Sequence, residues 1–137
     1  MKKNTDIKIN FKQLCRIAIL LFPIVLIILI SFVFQDKIII ESISPEYGIA
    51  GIPFNEFNGE AALAVKGNEF MIGDIIYING IPQNTTYGNN EILTCIVDSN
   101  LYQKQATLKV KVIRKEGNRV LLKSNEKILE IIENMDK

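Results

Sequence analysis

With 137 residues the chain has room for one domain and a short appendage. It contains no histidine and only two cysteines, Cys15 and Cys95, which excludes imidazole catalysis and any zinc site built from His or from several Cys. Residues 35–137 carry eleven Lys/Arg against fourteen Asp/Glu, a net −3 that gives no electrostatic reason to expect a nucleic-acid partner.

The first 34 residues differ sharply from the rest. Five basic side chains (Lys2, Lys3, Lys8, Lys12, Arg16) stand against one acid, Asp6, and lead into eighteen uncharged residues, Ile17 to Phe34. Fifteen of those are Ile, Leu, Val or Phe, the exceptions being Ala18, Pro23 and Ser31. As a helix, such a run rises about 1.5 Å per residue, close to the roughly 30 Å hydrocarbon core of a bilayer. Its branched and aromatic side chains each favour insertion, and they outweigh Pro23, which a membrane helix tolerates.

The sequence therefore predicts a basic cytoplasmic tail at residues 1–13 and a transmembrane signal-anchor at 14–34, followed by a juxtamembrane linker at 35–37. The positive-inside bias places the N-terminus in the cytoplasm and the rest outside, so the lipid bilayer is the first predicted partner. A cleavable signal peptide shares the basic start, but its apolar core is shorter and ends at small residues. Here the run ends Ile30-Ser31-Phe32-Val33-Phe34-Gln35, with no A-x-A-like site. An uncleaved anchor fits better. This topology puts Cys15 and Cys95 on different sides of the membrane, so no disulfide is expected between them.

From Lys37 onward the pattern becomes short β-type runs broken by turn residues. Ile38–Ile43 is apolar and β-branched and stops at Ser44-Pro45 and Tyr47-Gly48, and Gly48–Gly59 reads as an irregular connection. Ala61–Val65 is a strand of small residues ending at Gly67-Asn68. Asp74–Ile78 is a strand closed by Asn79-Gly80, a strong tight-turn pair. In Glu91–Val97, Leu93, Cys95 and Val97 share one face, and Cys95 reads as a small buried apolar residue. In Thr107–Ile113, Leu108, Val110 and Val112 face a core while Thr107, Lys109 and Lys111 face water. Val120–Lys123 and Lys127–Ile132 follow. The last of these also fits a helical stripe, and its context favours strand. About seven short strands with turn signals between them describe an all-β immunoglobulin-like sandwich over residues 38–133, with a tail at 134–137.

Ile43-Ser44-Pro45 with Tyr47-Gly48, then Ala62-Leu63-Ala64-Val65-Lys66-Gly67-Asn68-Glu69-Phe70, resembles the opening of an IPT/TIG domain. The likeness continues through Gly73–Gly80, Thr85-Thr86-Tyr87, Leu93–Val97, Leu108–Ile113 and Ser124-Asn125, nearly all of residues 38–132. The chain departs from the family where Gly51-Ile52-Pro53-Phe54-Asn55 replaces the usual Gly-Gly-Thr. Gly67 and Gly80 stand where reversals ask for positive φ, and Phe70 is expected inside the sandwich. A second local likeness, of Ile72–Pro82 to a PDZ hairpin, lacks its helix, because Gln83–Asn90 is too polar and turn-rich to supply one. The IPT/TIG resemblance implies a non-catalytic interaction module.

No catalytic, cofactor or metal constellation emerges. Asp74 and Glu91 read as turn and edge residues, and no clustered Asp/Asn spacing supports a calcium loop. Asn84-Thr85-Thr86 matches a glycosylation sequon, meaningful only in a eukaryotic secretory route. The aromatics Phe54, Phe57, Tyr77, Tyr87 and Tyr102 lie in or near predicted loops, where the plainer reading is that most fill the sandwich. Lys109 and Lys111, with Arg114, Lys115 and Arg119, form a basic strand and hairpin, a pattern that ordinarily keeps a sheet soluble. The candidate surface contacts are Phe57, Tyr87, Tyr102, Lys109 and Lys111. The sequence leads to a single-pass membrane protein holding a binding or structural module at the cell surface, toward a protein or polysaccharide partner. A small subunit of a membrane complex and an accessory carbohydrate-binding module are the alternatives.

Overall fold

The computed structural model describes residues 10–33 and 37–134, and the chain divides into two compact units, residues 1–35 and 36–137. Of the expected tail, linker and C-terminal residues, 1–9, 35–36 and 135–137 lie outside the described residues.

The first unit is one helix, α1 (Phe11–Val33), of 23 residues. Asn10 caps it: its side-chain oxygen accepts from the Lys12 amide at 3.4 Å and its carbonyl from the Gln13 amide at 2.8 Å. The helix begins three residues before the expected span because this cap precedes Phe11. It continues through Pro23. None of the window Phe11–Ile28 is buried, and by length and composition the helix can cross a membrane. An N-terminal signal sequence meets the same test.

The second unit is β throughout. Its strands are β1 (Ile39–Ser44), β2 (Tyr47–Ile49), β3 (Ala61–Asn68), β4 (Ile75–Ile78), β5 (Ile81–Pro82) and β6 (Asn84–Asn89). They are followed by β7 (Ile92–Val97), β8 (Ala106–Glu116), β9 (Arg119–Lys123) and β10 (Lys127–Ile132). One sheet runs β1-β3-β7-β6 and the other β2-β10-β8-β4-β5, with β9 also paired to β8. Every pairing is antiparallel except β2 with β10, which is parallel. The result is a two-sheet, sandwich-like all-β architecture.

The core follows from period-2 alternation. Leu63 and Val65 of β3, Leu93, Cys95 and Val97 of β7, Ile76 and Ile78 of β4, Leu108, Val110 and Val112 of β8, and Leu129 and Ile131 of β10 are all buried in one cluster. Burying a side chain of this kind is worth about 1.5–3 kcal/mol, so this interface between the sheets holds the unit together. Phe70 is buried as expected, and Lys127–Ile132 is a strand.

Among the described residues three more strands form than the seven expected: β2 after the first run, and β5 and β6 after the Asn79-Gly80 turn. Beyond the first run the chain changes sheets: β1 pairs with β3, the chain crosses at Pro45–Glu46, and β2 pairs with β10. The stretch from Gly48 is thus not wholly irregular, since Tyr47–Ile49 finds a parallel partner no local pattern announces. The last two expected strands form as β9 and β10, with Ser124–Glu126 between them. There the buried Ser124 hydroxyl accepts from the Val112 amide at 2.8 Å. The Asn125 side chain reaches β1 of the other sheet, accepting from the Ile40 amide at 2.7 Å and donating to its carbonyl at 2.9 Å. A single amide side chain thereby joins the two sheets. The polar run Gln83–Asn90 is mostly strand β6, stabilised by pairing with β7 and not by its own propensity.

One further expectation changes. Gly80 has φ 79° beside Asn79 at 49°, the left-handed pair that closes a two-residue hairpin. Gly67 does not have a positive φ: a Cβ there would collide with the Ile39 carbonyl and sit 2.8 Å from the Phe70 ring. It is glycine for close approach, and Glu69 carries the positive φ of 64°. Asp74 stands at the turn before β4, its amide donating to the Met71 carbonyl at 3.1 Å, and it is 3% exposed. Arg114 donates to its carboxylate twice, Nε to Oδ1 at 2.7 Å and an Nη to Oδ2 at 2.9 Å, and also to the Glu69 carbonyl at 2.7 Å.

Candidate functional site

The strands run between two ends of the β unit. At one end are the start of β1, the β3–β4 loop and the β8–β9 hairpin, since Ile39 faces Asn68 and Ile75 faces Ile113. At the other are the start of β3 and the end of β7, where Ala61 faces Val97.

A hollow of about 590 Å³ opens at this second end, lined by Gly59, Glu60, Pro82, Gln83, Asn84, Ile96, Val97, Asp98, Ser99 and Tyr102. Its walls come from the turn before β3, the β5–β6 junction and the one-turn 3-10 helix Ser99–Leu101. Asp98 starts that turn, its Oδ1 accepting from the Asn100 amide and side chain, both at 2.9 Å. The buried Gln83 is held between the Asp98 amide, which donates to its Oε1 at 3.0 Å, and the Ile81 carbonyl, to which it donates at 2.9 Å. Beneath lies an aromatic pair: Phe54 and Tyr102 meet edge to face, centroids 5.5 Å apart at 65°. Glu60, Asn84, Asp98 and Ser99 thus line the hollow beside a Gln83 carboxamide already held by the Asp98 amide and the Ile81 carbonyl. Such a set can exchange hydrogen bonds with a hydroxyl-rich ligand.

The candidate residues from the sequence separate. Phe57 belongs to this end: its backbone bridges to Glu60 in both directions, at 2.9 and 3.0 Å, and its ring is 61% exposed. Tyr102 also lines the hollow, but at 5% exposure and packed on Phe54 it is a supporting core residue, not a surface contact. That corrects the sequence reading. Tyr87 stands on β6, at an edge of the first sheet and away from the hollow. Lys109 and Lys111 lie on the outer face of the second sheet, paired with Glu126 at 3.9 and 3.1 Å. They border a smaller hollow of about 240 Å³ with Tyr77, Asn79 and Glu126. The basic strand is thus partly neutralised, and Arg114 of the same run is committed to Asp74.

Glu60, Gln83, Asp98 and Ser99 were not singled out from the sequence, and Asn84 only as the start of a sequon. The turn cluster Asp98-Ser99-Asn100 after an alternating strand was a signal, but nothing local shows that it meets Gln83 from another turn. Cys95 is buried in β7, and desolvation pushes its thiol up to about 12 despite a backbone hydrogen bond with Leu63 that lowers it. It is a packing residue, not a nucleophile. Cys15 and Cys95 are both free thiols. Among the described residues no group of three or more His, Cys, Asp or Glu comes together as a metal cluster.

No family model matches the chain, and no curated protein matches it. Among solved structures, it is similar in fold to an auxiliary nutrient binding protein from Bacteroides thetaiotaomicron VPI-5482, with TM-score 0.48 and 14% identity over 69% of this chain and 21% of that one. A second, an auxiliary nutrient binding protein from Bacteroides ovatus ATCC 8483, gives TM-score 0.45 and 18% identity over 73% of this chain and 21% of the other. The chain thus spans about a fifth of the length of these structures.

Proposed function

We propose that this protein is a membrane-anchored, extracytoplasmic, non-catalytic binding module of IPT/TIG type, which takes a hydroxyl-rich ligand in the hollow between the start of β3 and the end of β7. The observation that carries the reading is that hollow: Glu60, Asp98, Asn84 and Ser99 around Tyr102, with the exposed Phe57 ring on the same turn as Glu60. Aromatic faces beside convergent polar groups suit sugar rings, whose C–H faces stack while their hydroxyls hydrogen-bond. Helix α1 supports the tether, because it carries no charge from Ile17 to Val33 and its spanning window is unburied. A tether raises the effective concentration of the module toward polymers at the same surface.

The test uses the full chain reconstituted in vesicles with the β unit outward. It should be retained on cell-wall polysaccharide, and Phe57→Ala and Glu60→Gln should each weaken retention about tenfold, the scale of 1.4 kcal/mol. Equal retention by all three proteins sinks the site. Retention in membranes after alkaline carbonate, with the β unit cleaved by protease added to intact spheroplasts, tests anchor and sidedness. Release by carbonate, or protection until lysis, overturns them.

A small subunit of a membrane complex is the second reading, favoured by one observation. Tyr47 and Ile49 of β2 and Ile128 and Ile132 of β10 are exposed along one edge of the second sheet. Co-purification in mild detergent with one stoichiometric membrane protein, lost in Tyr47→Lys, would favour it.

A further inference from the structure

The end of the β unit where β1 begins is built the wrong way round for water. In the β3–β4 loop the polar groups turn inward: the Met71 amide donates to Asp74 Oδ2 at 2.9 Å, the Asp74 amide to the Met71 carbonyl at 3.1 Å, and Arg114 holds both Asp74 and the Glu69 carbonyl. The apolar side chains at the tip turn outward, with Ile72 85% and Met71 55% exposed. The neighbouring β8–β9 hairpin, fastened to this loop through Arg114, exposes Val120 and Leu121 as well. An ordinary loop tip is polar. This one is apolar and is held rigidly in that presentation.

What covers it follows from the chain. Six residue steps separate Val33, the last residue of α1, from Ile39, the first of β1, and no path between them exceeds about 22 Å. If α1 spans a bilayer, the start of β1 therefore stays within reach of the headgroup layer. Charge does not select the surface, because Lys37, Lys115 and Arg119 stand beside Glu69, Glu91 and Glu116 at the same end.

We infer that this end of the β unit seats on the lipid bilayer, with Met71, Ile72, Val120 and Leu121 entering the interfacial layer. Seating rests on the anchor reading above. It directs the Phe57–Asp98 hollow away from the membrane, and it depends on apolar contact, so zwitterionic lipid suffices and high salt changes little.

The chain contains no tryptophan, so single tryptophans report without background. The full chain is reconstituted in phosphatidylcholine vesicles made with lipid brominated near the headgroups or near the acyl ends. Ile72→Trp and Leu121→Trp should each lose about half their emission to shallow bromines or more, in low and high salt alike. Phe57→Trp should be unaffected, and Phe22→Trp in α1 should be quenched by deep bromines. Adding Ile72→Asp should abolish quenching of the Leu121→Trp reporter, which shows that loop and hairpin seat together and that the reporter does not drive its own insertion. Quenching at Phe22→Trp with none at Ile72→Trp or Leu121→Trp overturns the seating and leaves the anchor standing. No quenching at Phe22→Trp removes the anchor, and the seating with it.

Discussion

The two ends of the β unit solve the same closing problem with opposite chemistry. Where β3 begins, polar side chains face outward over an aromatic floor, Phe54 against Tyr102. Where β1 begins, apolar side chains face outward over a polar floor, the Asp74–Arg114 pair. The first arrangement is stable in water by ordinary burial. The second places an ion pair under a loop tip that water does not favour, and it makes sense if something apolar meets that tip. An end of a sandwich can be held by packing or by directed hydrogen bonds, and the choice leaves its outer surface free for different partners.

Removing each floor should separate the two ends. The largest effect is expected for Asp74→Ala, which leaves the Arg114 guanidinium, 15% exposed, without its carboxylate. A loss of about 4 kcal/mol should appear as a lower urea midpoint, and Asp74→Ala with Arg114→Met should recover part of it. If Asp74→Ala alone is neutral, the polar floor is decoration. Phe54→Ala at the other end should cost about 3 kcal/mol through lost burial and the lost edge-to-face contact, with no rescue by a second change.

Asn125→Ala tests the tie between the sheets near the β1 end. Losing both hydrogen bonds to Ile40 should cost about 2 kcal/mol and speed amide exchange at Ile40 before the other end responds. The smallest effect at neutral pH concerns Cys95, midway between the ends. Its folded pKa, about 12, lies above the ordinary thiol value of 9.0, so the folded state keeps a proton that the unfolded chain releases. That contribution is intact below about pH 9 and declines as pH rises toward 12, by at most about 1.4 kcal/mol per unit. Alkaline denaturation of Cys95→Ala should show a shallower slope over that range, and an identical slope would exclude the thiol as its source.

Much of the core could be read from the chain because alternation is local. Leu93, Cys95, Val97 and Leu108, Val110, Val112 announce their buried face through period two, and burial follows from hydrophobicity alone. Asn79-Gly80 announces its turn through φ, also a local property. Gln83–Asn90 misled for the complementary reason: its β conformation comes from pairing with β7, and its own residues do not favour it. Phe57 was legible as an exposed loop aromatic, whereas Tyr102 was not legible as buried, because its cover, Phe54, lies 48 positions earlier.

By itself, then, the sequence determined an apolar helix, a β body and the two inward faces of its sheets. Each depends on spacing of hydrophobic residues along a few turns or pleats. Only the tertiary structure decided that Asp74 meets Arg114, that Asn125 bridges to Ile40, that Tyr47–Ile49 runs parallel to β10, and that Glu60, Gln83 and Asp98 share one hollow. Polar side chains find partners by geometry across long stretches of chain. Their energies depend on distance and burial, which no local pattern encodes.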